Sequence, residues 1–488
     1  MRQYGINREI RGDNAAPVFQ AYPMRLIFNS KLHWIFEYAE SSAAKKAEMK
    51  TEMENIIWNR EMECADKAAI KELQLERFLK TVQTCYSNVP LYKKKFDQKG
   101  LKPEHIRTLS DIKNIPFTTA EDLKENYPFG MFATDKKNII RIHGSSGTTG
   151  KPKIVGYTKN DLNNWTEVVT RMICAAGATS DDVAQIAFGY GLFTGSFGLH
   201  YGLENLGAMV IPLSSGNTER QIMIMQDFRS TVLIATPSYA LYLADEIEKK
   251  GIDKNTIKLR LALFGGEGHT EEMRQKIEKQ LGISATENYG LSELGGPGLS
   301  GECFLKDGMH IAEDHFLCEI IDPDTLELLP AGEKGELVVT SLTKEGFPVL
   351  RYRTRDITCL YEEPCKCGRT SMRMGKIQGR SDDMLVIRGV NVYPSQIESV
   401  VMAIDEIEPF YEIIVTNEGY MDRIEVKMEF AEGSLLEDYE KLEVLRTKIR
   451  HDLRATLNID AKVTLVSPGT LPRYEGKGKK VIDNRTAK

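Results

Sequence analysis

Between residues 184 and 281, short apolar runs rich in β-branched residues alternate with amphipathic segments of helical periodicity. This alternation is typical of an α/β domain with a mainly parallel sheet, because parallel strands need crossover connections between them. The predicted strands are residues 184–188, 208–212, 231–236 and 259–264, and the predicted helices are residues 239–249 and 270–281. Glycine-rich turns follow the first and last of these strands, at residues 189–195 and 265–267. Since ligands of parallel sheets bind beyond the carboxyl ends of the strands, we expect a binding site there.

The periodicity changes near residues 379–383, which indicates a domain boundary. Beyond it the pattern is a short α+β one, with a hairpin over residues 412–429 that turns at 417–419, a charged helix over 437–456 and a strand over 462–466. A chain of 488 residues also exceeds what one hydrophobic core normally supports. We predict an N-terminal extension of unknown role at residues 1–55, a large α/β domain at 56–381 and a small mobile α+β domain at 382–488.

The composition, 41% hydrophobic and 27% charged residues, is that of an ordinary globular protein. A net charge of −6 gives no general reason to bind nucleic acid or an anionic membrane. No apolar run approaches the roughly 18 residues of a spanning helix, and the N-terminal residues lack the apolar core of a signal peptide. We therefore expect a cytoplasmic protein that binds neither nucleic acid nor a membrane. Its eight cysteines are then better explained as metal ligands or unpaired thiols than as disulfides.

The stretch from Gly144 to Pro152, GSSGTTGKP, looks like a Walker-type phosphate loop but departs from that pattern. A Walker loop has four residues between its glycines and a Ser or Thr after the lysine. Here five residues separate Gly144 from Gly150, and Pro152 follows the lysine. β-branched residues flank the loop on both sides, which predicts a hairpin turn and not the start of a helix. Its glycines, hydroxyls and N–H groups can still surround an anion, so the loop indicates phosphate binding by another route.

Five motifs occur in order along the chain: SSGTTGKP at residues 145–152, YGLSE at 289–293, YRTRD at 352–356, GRSDD at 379–383 and LPRYEGK at 471–477. Together they resemble the adenylate-forming superfamily of acyl-CoA synthetases, luciferases and peptide-synthetase adenylation domains. The amino-acid sequences of YGLSE, YRTRD and GRSDDMLVIRGVNVYPSQIE are most similar to those of the phenylacetate-CoA ligase family. The resemblance runs from about residue 56 to residue 485 and implies a large AMP-binding domain followed by a small mobile one.

Activation of a carboxylate with ATP requires Mg²⁺, neutralisation of charge at the α-phosphate and a fixed ribose. The resemblance implies that Glu293 binds Mg²⁺, that Tyr289 packs on the adenine, and that Asp356 and Arg380 hold the ribose and phosphate region. The other nucleotide-binding residues that it implies are Ser145, Ser146, Gly147, Thr148, Thr149, Gly150, Lys151, Gly265, Gly266, Glu267, Asn288, Gly290 and Ser292. At residues 268–269, Gly-His stands where the family pattern has Pro-Trp.

Asp356 stands among Arg351, Arg353 and Arg355 in the sequence. We expect these neighbouring cations to keep its carboxylate ionised, so that it can accept hydrogen bonds from both ribose hydroxyls. A surface cluster of ion pairs is the alternative interpretation.

Lys477, on a glycine-punctuated loop, is the residue that we expect to catalyse adenylation, and Lys479 is its rival within the motif. A lysine between the substrate carboxylate and the α-phosphate would align them and offset the charge of the transition state. A solvated basic tail is the alternative interpretation. The resemblance further implies a hinge at Asp382 and, after rotation of the small domain, a tunnel for the pantetheine arm formed by residues 386–394. The tunnel residues that we single out are Arg388, Gly389 and Tyr393.

Positions that surround an aromatic ring in the ligase family correspond here to Phe188, Phe193, Gly266, Asn288 and Pro297. The two phenylalanines and the proline would form an apolar slot suited to an aryl acid. The family pattern has Tyr at 188 and an aliphatic residue at 288. Asn288 could therefore form a hydrogen bond with a polar substituent of the substrate, or with a polar group of the backbone.

Cys365 and Cys367 stand in a C-x-C turn, and six residues separate Cys303 from His310. Three cysteines and a histidine form a closed structural zinc set, and some members of the family carry these four positions together. We expect a structural zinc that fixes the segment before the hinge, with unpaired buried thiols as the alternative.

These observations favour an AMP-forming aryl-acid:CoA ligase. Its expected cofactors are ATP, Mg²⁺ and CoA with a structural zinc, its expected partners are small molecules including the aryl carboxylate, and a homodimer is left open. One alternative is an enzyme that transfers AMP to a non-carboxylate acceptor such as a deazaflavin hydroxyl. A non-catalytic nucleotide-binding module is another.

Overall fold

The computed structural model describes residues 56–145, 152–388, 390–418, 421–431, 439–473 and 480–485. The predicted extension at residues 1–55 lies outside these ranges, and the domain boundaries stay predictions. Within the described residues, no helix is both long enough and apolar enough to cross a membrane.

A nine-stranded sheet forms the centre of the large domain, in the order β13-β14-β9-β8-β7-β6-β5-β3-β4. Its first five strands in the chain are β3 (Val183–Ile186), β4 (Met209–Ile211), β5 (Val232–Ala235), β6 (Leu261–Phe264) and β7 (Ser284–Leu291). These five pair in parallel, as the alternating pattern predicts, and β5 and β6 are buried along their whole length. The remaining strands pair antiparallel, which the alternating pattern does not predict: β8 (Gly296–Glu302), β9 (Met309–Ile311), β13 (Leu360–Tyr361) and β14 (Arg373–Met374).

Some helices precede the strands of this sheet in the chain, and others connect and cover them. They are α1 (Arg60–Glu63), α2 (Lys67–Asn88), α3 (Pro90–Gln98), α4 (Ala120–Glu125), α5 (Lys159–Ala175), α6 (Thr194–Leu206), α7 (Thr218–Asp227), α8 (Pro237–Lys249) and α9 (Glu271–Leu281). The most buried of them is α5, which begins with a reciprocal capping box between Thr158 and Asp161. It packs against α6 and β8 and so forms part of the main hydrophobic core.

Two smaller β-structures border the central sheet. Strands β1 (Arg141–Gly144) and β2 (Ile154–Tyr157) pair antiparallel with Gly144 opposite Ile154, which confirms the predicted hairpin around the phosphate loop. A second sheet is antiparallel and contains β10 (Phe316–Ile321), β11 (Gly335–Ser341), β12 (Tyr352–Thr358) and β15 (Gly379–Arg380). It brings the YRTRD and GRSDD motifs together, because Asp356 lies opposite Arg380 in the register.

The C-terminal part is an α+β unit with its own hydrophobic core, which Ile413, Val426 and Ile449 help to form. Its elements are β16 (Leu385–Ile387), β17 (Val390–Val392), α10 (Pro394–Met402), β18 (Ile407–Glu418), β19 (Met421–Phe430), α11 (Tyr439–Leu457), β20 (Lys462–Val466) and β21 (Val481–Asp483). The long hairpin of β18 and β19 is as predicted, but its strands pair as far as Glu418 and Met421. The predicted turn at residues 417–419 is therefore wrong, because the connection follows Glu418.

Candidate active site

A cavity of about 590 Å³ opens at the carboxyl ends of β3, β6 and β7, where the glycine-rich turns predict a site. The structure brings together residues from four of the five motifs and from the predicted aryl slot. The predicted residues that line the cavity are Ser145, Phe188, Phe193, Gly265, Gly266, Asn288, Gly290, Ser292, Glu293, Pro297, Arg380 and Asp382. Residues far apart in the sequence therefore form one site.

Glu293 lies in a short 3-10 turn after β7, and its side chain is only 3% exposed. Its Oε1 accepts hydrogen bonds from the phenol of Tyr352 at 2.9 Å and from the ammonium group of Lys153. Among the described residues, Oε2 of Glu293 has no hydrogen-bond donor. The carboxylate is thus held rigidly by one oxygen while the other can ligate a cation.

Lys153 and Tyr352 are site residues that our sequence interpretation missed. The sequence motif drew attention to Lys151, and Lys153, two residues further on, donates to Glu293. The sequence indicated Lys153 through the segment GKPK. Lys153 directly precedes β2, so the strand fixes its position. Tyr352 opens the YRTRD motif, and it belongs to the alternate residues of β12 that are buried. Lys151 itself and the rest of the loop, Ser146 to Gly150, lie outside the described residues.

Asp356 is 5% exposed and lies on β12, opposite Arg380 of β15. Its Oδ1 accepts from the guanidinium of Arg380 at 3.1 Å, and its Oδ2 accepts from the phenol of Tyr289 at 2.5 Å. Burial and the Asp356 carboxylate raise the pKa of Tyr289 well above its ordinary value, so this phenol remains a donor. Arg380 also donates to both carboxylate oxygens of Asp382, at 2.8 and 3.0 Å. The predicted hinge residue is thereby joined to the predicted ribose site.

The expectation that the neighbouring arginines hold Asp356 is wrong. Arg351 makes a buried pair with Glu319, and Arg353 pairs with Glu336 at 2.7 and 2.9 Å. Arg355 lies 3.6 Å from the same Glu336 carboxylate. The physical reason is the two-residue period of strand β12, which directs the side chains of Arg353 and Arg355 to the face opposite that of Asp356. The charged partner of Asp356 is Arg380, on the facing strand.

The predicted aryl slot is present at the cavity wall. The rings of Phe188 and Phe193 meet edge to face, with centroids 6.0 Å apart at 78°. Pro297 is held from behind by Trp165, whose indole N–H donates to the Pro297 carbonyl at 2.8 Å. At Gly195, a Cβ atom would lie 2.4 Å from the Phe193 ring, so glycine is needed there. These contacts fix an apolar slot.

Some predicted residues lie away from the cavity. Glu267 turns its carboxylate to Ser238, accepting from the backbone N–H at 2.8 Å and from the hydroxyl. Tyr289 lies behind the wall with its phenol on Asp356. Arg388 donates to the carbonyl of Asp422 at 2.9 Å on the C-terminal unit, and Tyr393 packs against Gly379. Gly389, Lys477 and Lys479 lie outside the described residues.

The predicted cysteine and histidine ligands meet in one buried cluster. The potential ligand atoms of Cys303, His310, Cys365 and Cys367 all lie within 4.8 Å of one another. The Cys303 and Cys365 sulfurs are 3.9 Å apart, and Nε2 of His310 is 3.4 Å from the Cys367 sulfur. These separations suit the edges of a tetrahedral zinc site with bonds of about 2.0–2.3 Å. Nδ1 of His310 lies 3.2 Å from the Ser371 hydroxyl, an outer contact that orients the ring.

A parallel sheet whose carboxyl edge opens into a cavity that contains a buried carboxylate, Glu293, is typical of a nucleotide-binding domain. The family described as "AMP-binding enzyme" matches residues 62–343, and "AMP-binding enzyme C-terminal domain" matches residues 389–485. The chain belongs to this family, which is part of the adenylate-forming superfamily.

Two curated relatives are named phenylacetate-coenzyme A ligase. The one from Thermus thermophilus is 47% identical over 444 residues, covering 88% of this chain and 100% of the relative. The one from Pseudomonas putida is 48% identical over 428 residues, covering 87% of this chain and 97% of the relative. These comparisons confirm the resemblance on which the site residues were assigned.

Among solved structures, a 2-hydroxyisobutyryl-CoA ligase in its postadenylation state is similar, with a TM-score of 0.83 and 26% identity over 88% of this chain and 92% of that one. The same ligase in its thioester-forming state has a TM-score of 0.66, at 27% identity over 88% and 93%. The described chain therefore resembles the postadenylation arrangement more closely than the thioester-forming one.

Proposed function

We propose that the protein is an AMP-forming ligase that joins an aryl carboxylate to coenzyme A through an acyl-adenylate. The observation that carries this proposal is the meeting, in one cavity, of the Glu293 carboxylate and the apolar slot of Phe188, Phe193 and Pro297. Such a site suits a substrate that is aromatic at one end and reacts at an ionised other end. The phenylacetate-coenzyme A ligases among the relatives support the same activity.

In the first half-reaction, a carboxylate oxygen of the acid attacks the α-phosphorus of ATP, and the bond to the bridging oxygen of pyrophosphate breaks. In the second, the thiolate of CoA attacks the acyl carbon, the thioester forms and AMP leaves with the electron pair. Mg²⁺, when bound, would neutralise phosphate charge. Asp356, oriented by Arg380 and Tyr289, would accept hydrogen bonds from the ribose hydroxyls.

The phosphates would lie on the side of Glu293. Oε2 of Glu293 would be the protein ligand of Mg²⁺, since Oε1 is already bound by Tyr352 and Lys153. Lys153 brings a positive charge next to this position, and the loop of residues 145–151 would surround the β- and γ-phosphates. The hairpin of β1 and β2 supports this role, because it presents the loop from two paired strands.

Lys477 would align the carboxylate and the α-phosphate during adenylation, and Lys479 is the alternative. Rotation of the C-terminal unit about Asp382 would then bring residues 386–394 to the cavity, with Arg388, Gly389 and Tyr393 along the pantetheine arm. The greater similarity to a postadenylation structure supports this scheme, because Arg388 lies away from the cavity in that arrangement.

We assign a structural zinc to Cys303, His310, Cys365 and Cys367, on the ligand separations given above. The ligands come from the end of β8, from β9 and from the turn before β14. A metal there would join these segments and take no part in the reaction. The site is at some distance in sequence from the proposed hinge.

The test of the proposed function is CoA-dependent AMP release over a panel of aryl acids, with phenylacetate, hydroxyphenylacetates, indoleacetate and benzoates. Pyrophosphate exchange that requires the acid, and AMP release that requires both the acid and CoA, are expected. If no acid supports pyrophosphate exchange while a deazaflavin becomes adenylated, the ligase proposal fails in favour of a non-carboxylate acceptor.

A further inference from the structure

The side chain of Asn288 lines the same cavity as Phe188, Phe193 and Pro297, and one hydrogen bond fixes its orientation. Its Nδ2 donates to the carbonyl of Phe264 at 2.6 Å. A carbonyl oxygen only accepts, so the amide nitrogen must face Phe264 and the amide oxygen must face the opposite way. Among the described residues, this Oδ1 has no hydrogen-bond donor.

The backbone makes room for this amide. Gly265 directly follows β6, and a Cβ atom there would lie 2.9 Å from Oδ1 of Asn288. Any other residue at 265 would push the amide away from its bond to Phe264. Asn288 itself is half-buried in the cavity wall, so Oδ1 has lost part of its hydration.

The other polar side chains in the described lining are engaged or belong to the nucleotide end. The hydroxyls of Thr194 and Ser292 bond each other at 3.1 Å. Tyr352 donates to Glu293 at 2.9 Å. Ser145 has a buried, unpartnered hydroxyl, but it begins the phosphate loop. Among the side-chain amides of the described lining, Asn288 is the one whose oxygen is available to accept from the acyl group.

We infer that Asn288 selects aryl acids that carry a hydrogen-bond donor on the ring system, such as a phenolic hydroxyl or an indole N–H. This inference rests on the proposed ligase activity and narrows its substrate class. A ring that carries a donor satisfies Oδ1, whereas a bare phenyl ring leaves a desolvated acceptor unpaired. The loss for an acid without the donor is about tenfold or more in kcat/KM.

The test compares pairs of acids that differ only in the donor: each hydroxyphenylacetate isomer with its methoxy twin and with phenylacetate, and indole-3-acetate with 1-methylindole-3-acetate. At least one donor acid is expected to exceed both its methylated twin and its unsubstituted parent by tenfold or more in kcat/KM. Equal or lower values for every donor acid overturn the inference and leave the ligase activity standing. No AMP release with any acid overturns the proposed function itself. The comparison uses the wild-type protein and so needs no variant.

Variants at the same position add a second readout. Asn288→Leu removes the acceptor at similar volume, and Asn288→Ala also leaves room for water at the Phe264 carbonyl. Either is expected to bring the ratio of hydroxy to methoxy acid close to one. As a matched control, Phe188→Leu changes the slot but keeps the amide, so it should lower kcat/KM while the ratio persists. A raised KM for ATP with an unchanged ratio would assign Asn288 to the adenine and overturn the inference.

Discussion

Glu293 is positioned by side chains from separate elements. It follows β7, Lys153 precedes β2, and Tyr352 begins β12, yet both partners bind the same oxygen of its carboxylate. Burial of the carboxylate would be costly without them, since an unpaired buried charge is strongly disfavoured. The arrangement leaves one oxygen for a cation and removes rotational freedom from the ligand, which is what a preorganised metal site requires.

Glu293→Gln should reduce the rate of acid-dependent pyrophosphate exchange by a hundredfold or more, about 3 kcal/mol in the transition state. The amide keeps the shape but loses the negative charge that a divalent cation needs. Tyr352→Phe is the matched comparison, because it removes one hydrogen bond and keeps the carboxylate, so its loss should be smaller. Exchange rates are measured over a range of Mg²⁺ concentrations. Equal losses in the two variants would contradict the assigned role.

His269 stands next to the adenine-side turn and is buried without a hydrogen-bond partner on either ring nitrogen among the described residues. Burial, with Lys376 and Arg274 nearby, lowers the pKa of His269 to about 3. The folded protein therefore keeps this ring neutral, whereas the unfolded chain binds a proton below its ordinary pKa of 6.5. Stability must then fall as the pH drops through the window from 6.5 towards 3.

Between pH 7 and pH 5, the free energy of unfolding of the wild type should fall by about 2 kcal/mol more than that of His269→Phe. Denaturant unfolding at both pH values provides the measurement. Parallel pH dependences of the two proteins would show that His269 is protonated in the folded state as well.

At the scale of elements, helix α5 depends on a capping residue that serves two segments. Asp161 is 1% exposed and accepts from the backbone N–H of Thr158 at 2.9 Å, which caps the helix. It also accepts from the N–H groups of Glu345 and Gly346, at 2.8 and 2.9 Å. One carboxylate thus joins the start of α5 to the segment that leads into β12.

Asp161→Ala should lower the free energy of unfolding by about 3 kcal/mol, because three N–H groups lose their acceptor and those of Thr158 and Gly346 are buried. Asp111→Ala is the matched control: Asp111 caps a 3-10 turn at the surface through Thr108 and Arg107, so its loss should be about 1 kcal/mol. Both values come from urea unfolding. Similar losses would mean that the contacts of Asp161 to residues 345 and 346 contribute little.

The cluster of Cys303, His310, Cys365 and Cys367, our proposed zinc site, also lies between elements. It joins the chain after β8 to β9 and to the turn that precedes β14, and β9 and β14 are neighbours in the central sheet. The pure protein should contain about one zinc per chain, and removal of the metal by a strong chelator should lower Tm by several degrees. Elemental analysis and thermal unfolding test this. Absence of stoichiometric zinc from protein prepared without chelators would contradict the assignment.

At the scale of the whole molecule, two separately packed cores allow the C-terminal unit to change position without unfolding. Gly379, just before the hinge, has φ of 149°, and a Cβ there would lie 2.8 Å from the Tyr393 ring. Asp382, the proposed hinge residue, is bound by Arg380, which also binds Asp356. If Asp356 holds the ribose as proposed, one guanidinium connects the nucleotide to the hinge.

Lys477→Ala should reduce the rate of adenylation by a hundredfold or more and retain thioester formation from a preformed acyl-adenylate. The reason is that, in the proposed scheme, each half-reaction uses a different position of the C-terminal unit. Pyrophosphate exchange and single-turnover thioester formation separate the two steps. Lys479→Ala is the matched variant within the same loop and should retain both. Equal loss of both steps in Lys477→Ala would contradict its assigned role.

The sequence by itself determined the fold class, because strand and helix periods are local properties of the chain. It also predicted the hairpin of β1 and β2, the four cysteine and histidine residues that meet in one cluster, and most residues of the cavity, since the motifs carry residue types that the expected chemistry requires. The antiparallel half of the central sheet was not predictable, because pairing between distant strands depends on packing rather than on local pattern.

Only the tertiary structure decided which groups are partners. Arg380 and Tyr289, not the adjacent arginines, bind Asp356, and Lys153, which the motif did not single out, binds Glu293. The same holds for Asn288, whose donation to Phe264 fixes the direction of its free acceptor. The physical reason is that hydrogen bonds and ion pairs act over a few ångströms, and only the folded chain places residues from distant segments within that range.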